Sequence, residues 1–153
     1  MTNNSTINEF NLQYTNGTYH LTSIKPFKKL FPEYSNELIW NFITNKYIIK
    51  NIFMECVWIF FIADNDKVKG FYKMDLITFH SLTGTEVLRI ILMADVKNVM
   101  FAMHFGEKID ISNFPPKITK FYQNRLTSLK INVKDALIVT DETYHSLKMN
   151  SLI

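Results

Sequence analysis

Apolar positions along this chain change their spacing several times, and each change marks an expected element. Residues 8–14, NEFNLQY, alternate apolar and polar and suit an edge strand. Residues 1–7 before them read as a loose polar tail. Residues 15–34 carry turn signals at Gly17, Pro26 and Pro32, and no element is assigned there. From Ser35 the spacing becomes helical. SNELIWNFITNKY places Leu38, Ile39, Phe42, Ile43 and Tyr47 along one side, with Ser35 or Asn36 as cap and Glu37 in the first turn. Residues 53–62, FMECVWIFFI, form an apolar run too short and aromatic for a long helix, so they predict a buried strand. ADNDK at 63–67 is a turn, and 68–76 is the hairpin partner.

The second half repeats this alternation. Thr85 to Val96 predicts a helix with Leu88, Ile91, Leu92 and Val96 on one face. Residues 98–105 predict a further apolar strand. Apolar residues at 118, 121, 122, 126 and 129 predict a helix over 117–130. Residues 135–140 predict a late strand, followed by the turn DET and Tyr144. The expected fold is therefore mixed α/β, a sheet flanked by helices, in one domain over 8–153.

Composition narrows the function classes. The chain has 153 residues, 47% hydrophobic and 20% charged, enough for one ordinary core. With four Gly and no G-x-x-x-x-G-K or G-x-G-x-x-G pattern, a phosphate-cradling loop is not expected. The formal charge of +3 is spread thinly, with one tight group at Lys25, Lys28 and Lys29, whereas duplex-binding domains concentrate their charge. Cys56 is the one cysteine, so neither an intrachain disulfide nor a multi-Cys zinc site is open to the chain. It sits in an apolar run and is expected to be buried. The opening MTNNSTINEF lacks the apolar stretch of a signal peptide, and Cys56 to Ala63 is too short to cross a membrane. A cytoplasmic soluble protein is expected.

Three segments together resemble the RadC-like branch of the JAB/MPN domains. IADNDKVKGFYK (62–73) resembles the family hairpin L-N-x-x-N-K-V-L-G-x-Y. VLRIILMADVKNVMFAM (87–103) resembles the helix and strand leading to the family's first metal-binding histidine. INVKDALIVTDETYHSL (131–147) resembles the late I-P-V-L-D-H-I-I-I…Y-x-S segment. The resemblance covers about 50 to 147. It implies a JAB/MPN-like mixed sheet flanked by helices. In active members two His and one Asp hold zinc, which lowers the pKa of its bound water. A Glu from an early strand takes a proton from that water, and a Ser stabilises the oxyanion.

Residue by residue, the resemblance implies a site stripped of its ligands. The frame that carries the family's H-N-H-P-S-G stretch, followed by a Ser and an Asp, resembles 99–119, VMFAMHFGEKIDISNFPPKIT. Its two histidines fall on Met103 and Phe105, and its Asp on Pro115, or on Pro116 when counted from upstream. None of these side chains supplies the N or O ligand of such a site. Glu55 falls at the position of the family Glu and Ser112 at that of the Ser, as vestiges. His104 falls between the lost histidines and, on a strand, points away from both. Asp135 matches a family Asp, and Ala136 replaces the His after it. Glu107 and Asp110 lie in the former ligand loop and read as solvated.

The expectation is a catalytically inactive JAB/MPN-like domain, a pseudoenzyme with no metal or other cofactor, working as a protein-binding or scaffold module. A protein partner is expected, a homodimer being one form of it, with no membrane role. One alternative is a zinc-dependent hydrolase of peptide or isopeptide bonds with rearranged ligands. Another is a DNA-associated module, for which the scattered lysines are a poor footprint.

Overall fold

The computed structural model describes residues 6–28, 34–46, 55–79, 85–105, 117–140 and 142–150. They form a seven-stranded mixed sheet with helices on both faces. The strands are β1 (Thr6–Thr15), β2 (Thr18–Lys28), β3 (Cys56–Ile62), β4 (Val68–Asp75), β5 (Asn98–His104), β6 (Asn132–Val139) and β7 (Tyr144–Ser146). The helices are α1 (Asn36–Lys46), α2 (Leu76–Phe79), α3 (Thr85–Met93) and α4 (Lys117–Ser128). The spatial order is β2-β1-β4-β3-β5-β6-β7. Neighbours pair antiparallel except β1 with β4 and β5 with β6, which are parallel.

All seven residues of β3 are buried, because the strand lies mid-sheet with a helical layer on each face. Alternation divides its side chains between two cores. Val57, Ile59 and Phe61 join Phe101, Met103, Phe79, Ile90, Ile91 and Tyr122 on the face covered by α2, α3 and α4. Cys56, Trp58, Phe60 and Ile62 join Ile39, Phe42 and Ile43 of α1 on the other. Ser35 caps α1 as expected, its Oγ accepting from the Leu38 N–H at 3.3 Å.

The expected elements from 35 onward are present, most with trimmed ends, while β6 starts at Asn132, earlier than the strand expected over 135–140, and several differences are informative. β1 begins at Thr6 and buries Ile7, so the chain joins the sheet before the end of the polar tail expected over 1–7. β1 is an inner strand; the edge belongs to β2, in a region given no element. The turn between them, Asn16-Gly17, has positive φ at both residues (51° and 77°), the geometry that lets a two-residue loop follow strand twist. On α3 the buried residues are Val87, Ile90 and Ile91, whereas Leu92 is exposed and Leu88 half-buried. α2 and β7 are additional short elements. No helix among the described residues is long and apolar enough to cross a membrane.

β1 meets β4 only over Asn8–Phe10 opposite Gly70–Tyr72. A Cβ at Gly70 would lie 2.4 Å from the Phe10 ring and 2.5 Å from the Asn8 carbonyl oxygen, so this crossing requires glycine. Beyond it β1 and β4 are no longer paired, and among the described residues the outer edge of β4 has no strand partner from Lys73 onward.

Candidate functional site

Five of the positions singled out in the sequence, Glu55, Cys56, Met103, His104 and Phe105, lie at one end of the sheet, where β3 starts and β4 and β5 end. Cys56 pairs with His104 and Val57 with Met103 across the antiparallel β3–β5 ladder. One further step of that register sets Glu55 opposite Phe105. Alternation then puts Glu55, Met103 and Phe105 on the α2–α4 side of the sheet, with His104 on the α1 side. The Glu55 side chain is exposed, and its carbonyl accepts from the Leu76 N–H at 3.3 Å, tying the start of α2 to this end.

Met103 is fully buried, and Phe105, half-buried, packs against the same core. Beneath them Phe79, Phe101 and Tyr122 stack, with ring centroids 4.6 Å apart for Phe79–Tyr122 and 5.4 Å for Phe79–Phe101. The Tyr122 hydroxyl donates to the Phe79 carbonyl at 2.5 Å, and burial pushes its pKa up to about 12. The space under the sheet end is therefore filled by thioether and aromatic groups. The sole polar atom just named among them, the phenol oxygen, has its partner.

His104 is buried beside Cys56 on the opposite face. Burial pushes the Cys56 thiol up to about 11, against a smaller downward pull from Lys73. At neutral pH it is a protonated thiol, which makes it a poor nucleophile. Lys73 lies over the Trp58 ring, 5.9 Å from its centroid. An open cleft of about 350 Å³ follows the uncovered edge of β4, between Tyr72, Lys73, Asp75 and Glu86. Asp75 caps α2 there, accepting from the Thr78 N–H at 2.7 Å and hydroxyl at 2.9 Å. Those bonds, the backbone one foremost, hold its carboxyl below the usual range. Burial and then Glu86 raise the Tyr72 phenol.

Among the described residues no three His, Cys, Asp or Glu side chains are grouped to hold a metal ion. Ser112, Glu107, Asp110, Pro115 and Pro116 lie outside the described residues.

Asp135 is drawn into a different cluster, on the α1 face. β6 carries one extra residue between Val133 and Ala136, opposite Val99 and Phe101 of β5, and Asp135 sits in that bulge. Its carboxylate accepts from Asn36 Nδ2 at 2.8 Å, the Ala136 N–H at 2.7 Å, the Lys148 N–H at 3.1 Å and the Ser146 hydroxyl. Tyr34 donates to the Asn36 side-chain oxygen. Its phenol is raised by burial first and then by Asp135, Asp66 and Tyr144, so it remains a donor. In the sequence Tyr34 goes unremarked, Asn36 reads only as a cap candidate and Ser146 only as part of the 131–147 segment, and none of them is joined to Asp135. Their separation from Asp135 along the chain left no local spacing to find them by. No family model matches this chain, and no curated protein matches it.

Proposed function

We propose that this chain is a zinc-free, catalytically inactive relative of the RadC-like JAB/MPN domains that acts by binding a protein partner. The observation that carries the reading is the apolar filling at the end of β5. Met103 and Phe105, at the positions of the two ligand histidines in the resemblance, pack into the aromatic core on the side of the sheet that Glu55 also occupies.

The physical logic is one of compensation. Zinc gives buried imidazoles a partner for their lone pairs, and without it they become costly polar groups in an apolar site. A thioether and a phenyl ring restore packing at the same place. Glu55, with no metal-bound water to deprotonate, is a solvated carboxylate beside the filled site. A scaffold kept in this state retains its surfaces, and surfaces serve recognition.

The test is elemental mass spectrometry of untagged protein purified after zinc supplementation, with a melting curve in added zinc. The expected result is far less than one zinc per chain and an unchanged melting temperature, since a ligand that binds only the folded state would raise it. One equivalent of zinc, or chelator-sensitive cleavage of a peptide or isopeptide bond, would overturn the inactive reading. Partner binding is tested separately by stoichiometric co-purification of another protein with the tagged chain from its source cells. Recovery of the chain alone would count against it.

A further inference from the structure

β2 ends the sheet, and among the described residues the outer edge of this eleven-residue strand has no strand neighbour. Edge strands are ordinarily defended by charge, proline, bulges or shortness. Here those defences gather in one half. Lys25, Pro26 and Lys28 belong to the end of the strand, and the register shift opposite Glu9 and Phe10 leaves Ile24 as the extra residue where that defended end begins. Residues 18–24, TYHLTSI, carry no Asp, Glu, Lys, Arg or Pro, and Tyr19 and Ile24 are 41% and 58% exposed. Beside this edge α3 leaves Leu92 52% exposed, and Leu88, Arg89, Leu92 and Met93 line an open depression of about 460 Å³. The Arg89 guanidinium lies over the Tyr19 ring, 4.2 Å from its centroid. Arg89, which lines the depression, thus joins it to β2.

We propose that this surface is a homodimer interface, in which residues 18–24 of β2 pair antiparallel with the same residues of a second copy. A two-fold interface must be self-complementary, and this segment is. Centred on Leu21, the pairing sets Thr18 against Ile24, Tyr19 against Ser23 and His20 against Thr22. Lys25 then falls beside the other copy's Gly17 rather than its Lys25, so no like charges oppose each other. The axis runs perpendicular to the sheet, so both α3 helices stay on one face and their Leu88 and Leu92 stripes flank the same seam. A seven-residue strand pair alone falls short of the roughly 1,000 Å² a specific interface needs, and the α3 stripes supply the apolar remainder. Pairing of β2 with the opposite edge, the three-residue β7, would run head to tail without closing. The proposal stands apart from the zinc question, since β2 is separated from the β3–β5 sheet end by β1 and β4 in the strand order.

Sedimentation velocity of the untagged chain, from micromolar to millimolar concentration, tests it together with two double variants. His20→Glu with Thr22→Glu, and His20→Lys with Thr22→Lys, each set like charges across the seam. Both positions pair with exposed Gln13 and Asn11 on the polar side of the hairpin, so the fold tolerates them. The expected result is a wild-type species at twice the 18.0 kDa of one chain. Each variant alone is expected to be monomeric, and their equimolar mixture dimeric. A wild-type monomer throughout, or variants that stay dimeric, would overturn the proposal. Should a variant fail to fold, amide exchange over 18–24 in the unaltered chain decides the matter. Protection that grows with concentration supports the interface, and protection that does not grow refutes it.

Discussion

Asp135 is 3% exposed, yet its carboxylate accepts four hydrogen bonds that join the start of α1, the bulge in β6 and the turn after β7. Removing one member of such a buried network leaves its donors without partners, and that penalty exceeds the net worth of the bonds themselves. Asp135→Ala is therefore expected to lower stability by about 3 kcal/mol, read as a fall in urea midpoint at unchanged slope. A loss below about 1 kcal/mol would show that the network does little for the fold. Asn36 lies 99 residues away from Asp135 in sequence, which is why no local pattern joins the two. Burial acts with the opposite chemistry at Cys56 and Tyr122, whose neutral forms the fold prefers. Their folded pKa values, about 11 and about 12, stand above ordinary values of 9.0 and 10.0. The stability they contribute is full below the unfolded values and is lost as pH rises through the folded ones. Urea midpoints measured against pH should hold up to about 9 and then fall toward 12. Cys56→Ala should flatten the first part of that fall and Tyr122→Phe the later part. Identical profiles for all three proteins would remove both groups from the explanation.

At the scale of elements, the sequence was readable where one period dominated and unreadable where a distant partner decided. α1 has a cap, an acidic first turn and a clear apolar side, and it forms where those signals lie. α3 is apolar around most of its circumference, so its spacing alone admits several buried faces. The sheet selects Val87, Ile90 and Ile91, leaving Leu92 outward. β2 shows the opposite failure. Its proline and lysines suppress a strand reading, although Asn-Gly at 16–17 is a strong hairpin signal. An edge strand tolerates Pro26 because one side of it needs no hydrogen-bond partner. The junction of this hairpin with the sheet depends on Gly70. Gly70→Ala would push a methyl group into the Phe10 ring and the Asn8 carbonyl, and the backbone oxygen cannot rotate away. The expected cost is about 1–3 kcal/mol, measured by chemical denaturation. Full stability in that variant would mean that β1 does not cross β4 as closely as described.

Across the whole molecule, the sheet brings together residues whose relation the sequence leaves unstated. Glu55 and Phe105 are fifty positions apart, and only the antiparallel β3–β5 ladder puts them at one sheet end. The mixed α/β class was legible from the order of elements. The strand order was not, because the parallel β1–β4 and β5–β6 pairings are set by long-range closure rather than by local pattern. The same topology orders stability across the molecule. β3 is buried on both faces and bonded on both edges, by β4 and β5. The outer half of the β1–β2 hairpin, Asn11 to Leu21, has no strand pairing but its own among the described residues, touches the core through Leu12 and Leu21, and is largely exposed. Local opening follows the number of buried apolar contacts an element must break. Native-state amide exchange in the monomeric charge variants should therefore find the hairpin opening at free energies well below those of β3 and β5, which exchange only on global unfolding. If the hairpin amides exchanged as slowly as those of β3 in the monomer, its outer half would be held by contacts other than its own pairing. The unpaired edge of β2 would then no longer be available to a second copy.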